Sequence, residues 1–135
     1  MVKMNVTYSG GLHCDLTHEP SRTKIQTDAP KDNMGKGEAF SPTDLVGAAL
    51  GSCMLTTMAI AAKKEGLELE GAKAELSKEM VTAPSRRIGA LTVEITMPAA
   101  LPKAAREKLE QIGLNCPVQK SLHPDVKIPV KFVYR

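Results

Sequence analysis

Cys14, Cys53 and Cys116 are the residues of this 135-residue chain best suited to covalent chemistry. A thiolate is a strong nucleophile and is oxidised stepwise by peroxides, so what matters is which surroundings favour the anion. Cys116 precedes Pro117, the residue preferred at the first position of a helix, and a short helical turn is expected through Leu122. Its thiol then lies in the first turn, where exposed N–H groups favour the thiolate. The alternative is a packed thiol ending the apolar face of Ala105, Leu109 and Ile112. Cys53 lies inside the uncharged run of residues 45–62, beside Gly51-Ser52. By itself it reads as a small buried hydrophobe, the commonest fate of a free cysteine. Cys14 alternates with Leu12 and Leu16 and reads as core. An odd cysteine count without a CxxC pair offers no disulfide framework and fits a reducing cytoplasm.

Other chemistries find little support. The spacing of His13, Cys14, His18 and His123 fits no zinc pattern, and no metal site is expected. His123-Pro124-Asp125, ahead of the last apolar alternation, reads as a turn, or as a proton donor or substrate contact near Cys116. Arg86-Arg87 follow a Pro-Ser turn and are either solvated or within reach of a thiolate. There is no phosphate-cradling glycine loop, no GxSxG and no kinase signature, so no cofactor is expected. With four aromatic residues, no Trp and a net charge of +3 without a polybasic arm, the chain lacks the features of a nucleic-acid binder.

The elements that must position these residues follow from periodicity. Period-two alternation recurs at Val2/Met4/Val6/Tyr8, Leu12/Cys14/Leu16, Ala72/Ala74/Leu76, Leu91/Val93/Ile95/Met97 and Val126 to Tyr134. A short strand around residues 23–27 completes an N-terminal meander. Ser9-Gly10-Gly11 and Thr82-Ala83-Pro84-Ser85 read as hairpin turns. Residues 28–40 read as a functional loop. Ser41, Pro42 and Asp44 then supply an N-cap, a first helical residue and an acid for the exposed N–H groups. This helix ends at Lys63-Lys64-Glu65-Gly66 and, being apolar nearly all round, is expected to be central. Its uncharged run approaches bilayer thickness, but its glycines, alanines and hydroxyl residues make it weakly hydrophobic, so a buried helix in a soluble protein is expected. No secretory leader is expected at the N-terminus. An amphipathic second helix starts near Leu101-Pro102 and stops at Gly113. The reading is a single α+β domain over residues 1–135, an antiparallel sheet against a long central helix. A helix apolar on all sides needs more cover than one such sheet provides, which points to a homodimer.

Two stretches resemble a known family. Ser41-Pro42-Thr43-Asp44-Leu45-Val46-Gly47-Ala48-Ala49-Leu50-Gly51-Ser52-Cys53-Met54, followed 63 residues after Cys53 by Asn115-Cys116-Pro117-Val118, resembles the OsmC/Ohr family of bacterial thiol peroxidases. Cys116-Pro117-Val118-Gln119-Lys120-Ser121-Leu122-His123 is similar to its OsmC-like branch. The resemblance implies an interlocked homodimer with sites at the subunit interface. It implies that Cys53 attacks the peroxide and becomes a sulfenic acid, that Cys116 resolves it as a disulfide, and that a dithiol or small thiol restores both. The apolar surroundings of Cys53 suit organic hydroperoxides.

The family's peroxidases carry a Glu ten residues before the reactive cysteine. Here that position is Thr43, with Asp44 beside it. The family's arginine after the first hairpin turn is absent too, since Gly10-Gly11 is followed by Leu12 and His13. A cysteine in mid-helix gains nothing from its own helix dipole, so an outside cation is expected, drawn from Arg22, Arg86, Arg87 and His13. The competing reading is a small-ligand-binding or redox-sensing module on the same fold.

Overall fold

The computed structural model describes residues 1–135 and resolves the chain into two compact units, residues 1–46 and 47–135. In the first unit β1 (Met4–Gly10), β2 (His13–His18) and β3 (Lys24–Asp28) form an antiparallel meander in the order β1-β2-β3. The β1–β2 register slips between Tyr8 and Gly10, where Gly10 and Gly11 take positive φ and let the hairpin close. The apolar set Met4, Val6 and Tyr8 is exposed, at 68, 62 and 63%, and Cys14 is half-buried. This differs from the expectation of core on that face: nothing within the sheet itself covers it. Residues 29–40 hold one 3-10 turn, Lys31–Asn33.

Helix α1 (Pro42–Lys64) begins in the first unit and runs on into the second. Its start is a reciprocal cap: Ser41 Oγ accepts the Asp44 N–H at 3.0 Å, and the Asp44 carboxylate accepts the Ser41 N–H at 2.9 Å. The helix is not buried on all sides. Gly47, Leu50, Gly51, Met54, Met58 and Ala62 face inward, whereas Ala49, Ser52, Thr56 and Ile60 are exposed. Absence of charge misled the periodicity reading, because Ala, Ser and Thr tolerate water as readily as burial.

In the second unit β4 (Lys73–Val81) and β5 (Arg87–Met97) form an antiparallel hairpin, and β6 (Val130–Tyr134) joins β5 in parallel. The sheet is therefore mixed, contrary to the wholly antiparallel expectation. Between β5 and β6 the chain passes through α2 (Lys103–Leu114) and α3 (Pro117–Ser121), and such a helical crossover returns a strand in the direction of its neighbour. Only the second half of the Val126 to Tyr134 alternation is strand. Residue 127 contributes an isolated bridge to Ala90. Leu91, Val93, Ile95 and Met97 of β5 alternate into a core completed by Leu50, Met54 and Met58 of α1 and Leu109 of α2. The architecture is α+β with two three-stranded sheets.

Candidate functional site

The second unit brings Cys53 and Cys116 together. Two glycines set the spacing. A Cβ at Gly51 would stand 2.6 Å from Leu76 Cδ1, so only glycine lets α1 approach β4 this closely. A Cβ at Gly113 would stand 2.8 Å from Met58 Sδ, so the end of α2 lies directly against α1. Three residues on, Cys116 is the N-cap of α3, fully buried, with its N–H donating to the Gly113 carbonyl at 3.3 Å and Pro117 behind it. Cys53 is half-buried on α1.

The two sulfurs are hydrogen-bonded to each other and titrate in opposite directions. Burial pushes the Cys53 thiol up, but the Val118 N–H, the Cys116 thiol and the Thr57 hydroxyl all bond to its sulfur and together hold it below the ordinary thiol range. Thr57 Oγ1 lies 3.8 Å from Cys53 Sγ. For Cys116, burial raises the thiol, the Gln119 N–H pulls it down, and the neighbouring Cys53 sulfur raises it again. The result lies above the ordinary range. The arrangement favours ionisation of Cys53 over that of Cys116. Cys53 thus has three neutral donors, two of them supplied by the Cys116-Pro117-Val118 segment. The outside cation expected from the sequence is not among them.

The remaining sequence candidates have other neighbours. His13 Nδ1 is 2.5 Å from Asp28 Oδ1, with Asp15 3.7 Å from Nε2. Arg22, at the β2–β3 turn with φ of 62°, pairs with Glu19 at 2.8 Å. Thr43 and Asp44 belong to the α1 cap, with Thr43 Oγ1 3.3 Å from Ser41 Oγ. Arg86 lies in the β4–β5 turn, after the cis Ala83–Pro84 peptide, and Arg87 opens β5. His123 is exposed, accepts the Asp125 N–H at 3.1 Å and precedes β6. The sequence reading missed Thr57, whose one signal is its spacing of four residues from Cys53 on a helix. It also missed Gln119, whose Oε1 is buried without a hydrogen-bond partner. No group of three or more His, Cys, Asp or Glu side chains is arranged to hold a metal ion.

Comparison with known proteins places this site in a family. The OsmC-like protein family model matches residues 35–131, a span that contains both cysteines, and the chain belongs to that family. Among solved structures, it is similar to a Psychrobacter arcticus protein provisionally described as an osmotic stress induced and detoxification response protein. That match has 42% identity and a TM-score of 0.92, and covers 98% of this chain and 96% of the other. The fold also matches an organic hydroperoxide resistance protein OsmC from Legionella pneumophila, at 15% identity and TM-score 0.79, over 98% of this chain and 96% of that one. OhrB of Bacillus subtilis, an organic hydroperoxide resistance protein, matches at 16% identity and TM-score 0.68, over 98 and 97%. Comparison with curated proteins finds no match.

Proposed function

We propose that the protein is a thiol-dependent peroxidase that reduces organic hydroperoxides through Cys53 and Cys116. The observation that carries this reading is the hydrogen-bonded sulfur pair, in which Cys53 is shifted below and Cys116 above the ordinary thiol range. The Cys53 thiolate attacks the terminal oxygen of ROOH, the one that carries the hydrogen. An S–O bond forms, the O–O bond breaks, and sulfur is oxidised by two electrons to the sulfenic acid as the alkoxide leaves. The alkoxide takes the proton that Cys116 holds, which releases alcohol and makes Cys116 the thiolate. That thiolate attacks the Cys53 sulfur, a disulfide forms, and hydroxide leaves to take a proton from solvent as water. Two electrons from a dithiol or small thiol then restore both thiols. Because Cys116 is fully buried and Cys53 only half, the reductant enters at the Cys53 sulfur.

The names of the Legionella and Bacillus proteins, each linked to organic hydroperoxide resistance, support the choice of substrate. The test is steady-state consumption of an organic hydroperoxide with a dithiol reductant: Cys53→Ser abolishes turnover, while Cys116→Ser still allows one round of oxidation. Turnover in the Cys53→Ser variant would remove Cys53 from its role.

We also propose that the protein works as a homodimer. The exposed apolar residues Met4, Val6 and Tyr8 of β1 and Ile60 of α1 support this, since such surface is ordinarily covered. A monomeric mass by light scattering at micromolar concentration contradicts it. The second reading, a redox-sensing or ligand-binding module, is favoured by the neutral character of the donors on Cys53. Slow, stoichiometric oxidation without turnover would support it.

A further inference from the structure

Thr57 stands one helical turn beyond Cys53, with its Oγ1 3.8 Å from the cysteine sulfur. A threonine inside a helix commonly turns its hydroxyl back to the carbonyl four residues earlier. Here the oxygen meets the side chain of that residue instead. Thr57 is also half-buried at one end of a surface groove of about 370 Å³. Ile60, Ala61 and Ile112 give the groove apolar walls, and Lys64 and the Lys108–Glu65 ion pair close its far end. Thr57 is therefore both the side-chain hydroxyl on the Cys53 sulfur and part of a concave surface able to receive a small molecule.

We propose that Thr57 is a positioning residue for Cys53, its hydroxyl donating to the sulfur and fixing where the cysteine side chain sits on α1. The proposal rests on the peroxidase reading for its purpose, though not for its test. The hydroxyl keeps its own proton throughout. It favours the anion because an O–H donor bonds a thiolate more strongly than a thiol. It also restricts the Cys53 side chain to a rotamer that reaches Oγ1. With the Val118 N–H and the Cys116 thiol on the same sulfur, Thr57 supplies the one donor that comes from α1 itself.

The experiment compares full-length wild type, Thr57→Val and Thr57→Ser. Cys53 alkylation by iodoacetamide is followed across pH by peptide mass spectrometry, with Cys14 as the internal control. Valine keeps the branched shape and removes the hydroxyl, so the Thr57→Val profile is expected at higher pH. Its neutral-pH rate should fall by roughly threefold to tenfold, the scale of one ordinary intramolecular hydrogen bond. Serine restores the wild-type profile, and Cys14 is unchanged. A Thr57→Val profile that superimposes on wild type overturns the proposal. Equal losses in the Ser and Val variants overturn it as well, since they trace the effect to methyl packing. If Thr57→Val loses its helical circular dichroism, Thr57→Ala is measured instead, with the same two outcomes. Alkylation needs no peroxide, so a shifted profile in a protein that fails to consume hydroperoxide leaves the role of Thr57 standing and removes only the peroxidase reading.

Discussion

The contact between the Cys53 and Cys116 sulfurs moves the two thiols apart: it helps hold Cys53 below, and Cys116 above, the ordinary thiol range. In the proposed peroxidase cycle this suits Cys53 to act as nucleophile and Cys116 as the proton donor that later resolves it.

Replacing Cys116 should therefore slow Cys53 even before any disulfide is formed. Cys116→Ala removes a donor from the Cys53 sulfur, whereas Cys116→Ser keeps a hydroxyl in its place. The expected order of Cys53 alkylation at neutral pH is wild type and Cys116→Ser ahead of Cys116→Ala, read by mass spectrometry. Because the Cys53 thiol is depressed, reactivity is retained above its folded-state pKa and falls away as pH drops through it.

The His13–Asp28 pair gives the first unit a stability window in pH. Asp28, 7% exposed, also accepts the Glu38 N–H at 3.0 Å, so the pair ties β2 to the end of the 29–40 loop. The Asp28 hydrogen bond raises His13 above its ordinary 6.5 against the opposing effect of burial, with Asp15 and Glu38 adding to the rise. The His13 bond lowers Asp28 below its ordinary 3.8 against burial, with the Glu38 N–H and Lys36 assisting. For His13 the contribution is complete below 6.5 and lost as pH rises through the elevated folded-state value. For Asp28 it is complete above 3.8 and lost as pH falls through the depressed one. The melting-temperature gap between wild type and His13→Gln should thus be widest near pH 5 and narrow in alkaline buffer. A gap independent of pH would contradict the pairing.

Gly113 and Met58 should be energetically coupled. Met58 is fully buried, so the 2.8 Å approach of an alanine Cβ to its sulfur cannot be relieved at the surface. Gly113→Ala is expected to cost about 1–2 kcal/mol in urea unfolding, overpacking outweighing the gain in helix propensity. In a Met58→Ala background that cost should vanish, since the cavity accepts the added methyl. Additive losses would mean that the two helices do not meet there.

Sequence patterning made most of the elements legible. The Ser41-Pro42-Asp44 start of α1 and the β5 alternation follow from caps and periods that are local in the chain. The expected stop of α2 at Gly113 does not: Gly113 is helical, the helix runs on to Leu114, and the glycine is there because Met58 packs against it. Three further things were not local. The parallel placement of β6 depends on where α2 and α3 carry the chain, and no residue of β6 encodes it. The exposed side of α1 was hidden because Ala49, Ser52 and Thr56 carry no charge to announce water. At the site, the cysteines were conspicuous as residue types, but the donors on Cys53 were not. Two come from a segment more than sixty residues away, and the third is a threonine of ordinary appearance.

The central claim is that Cys53 and Cys116 form a redox pair driven by hydroperoxide. The most direct measurement mixes reduced protein with one equivalent of an organic hydroperoxide, counts free thiols before and after, and maps any disulfide by peptide mass spectrometry. The expected result is loss of two thiols within seconds, recovered as a Cys53–Cys116 link with Cys14 still free. Survival of all three thiols, or a link that includes Cys14, would contradict the account.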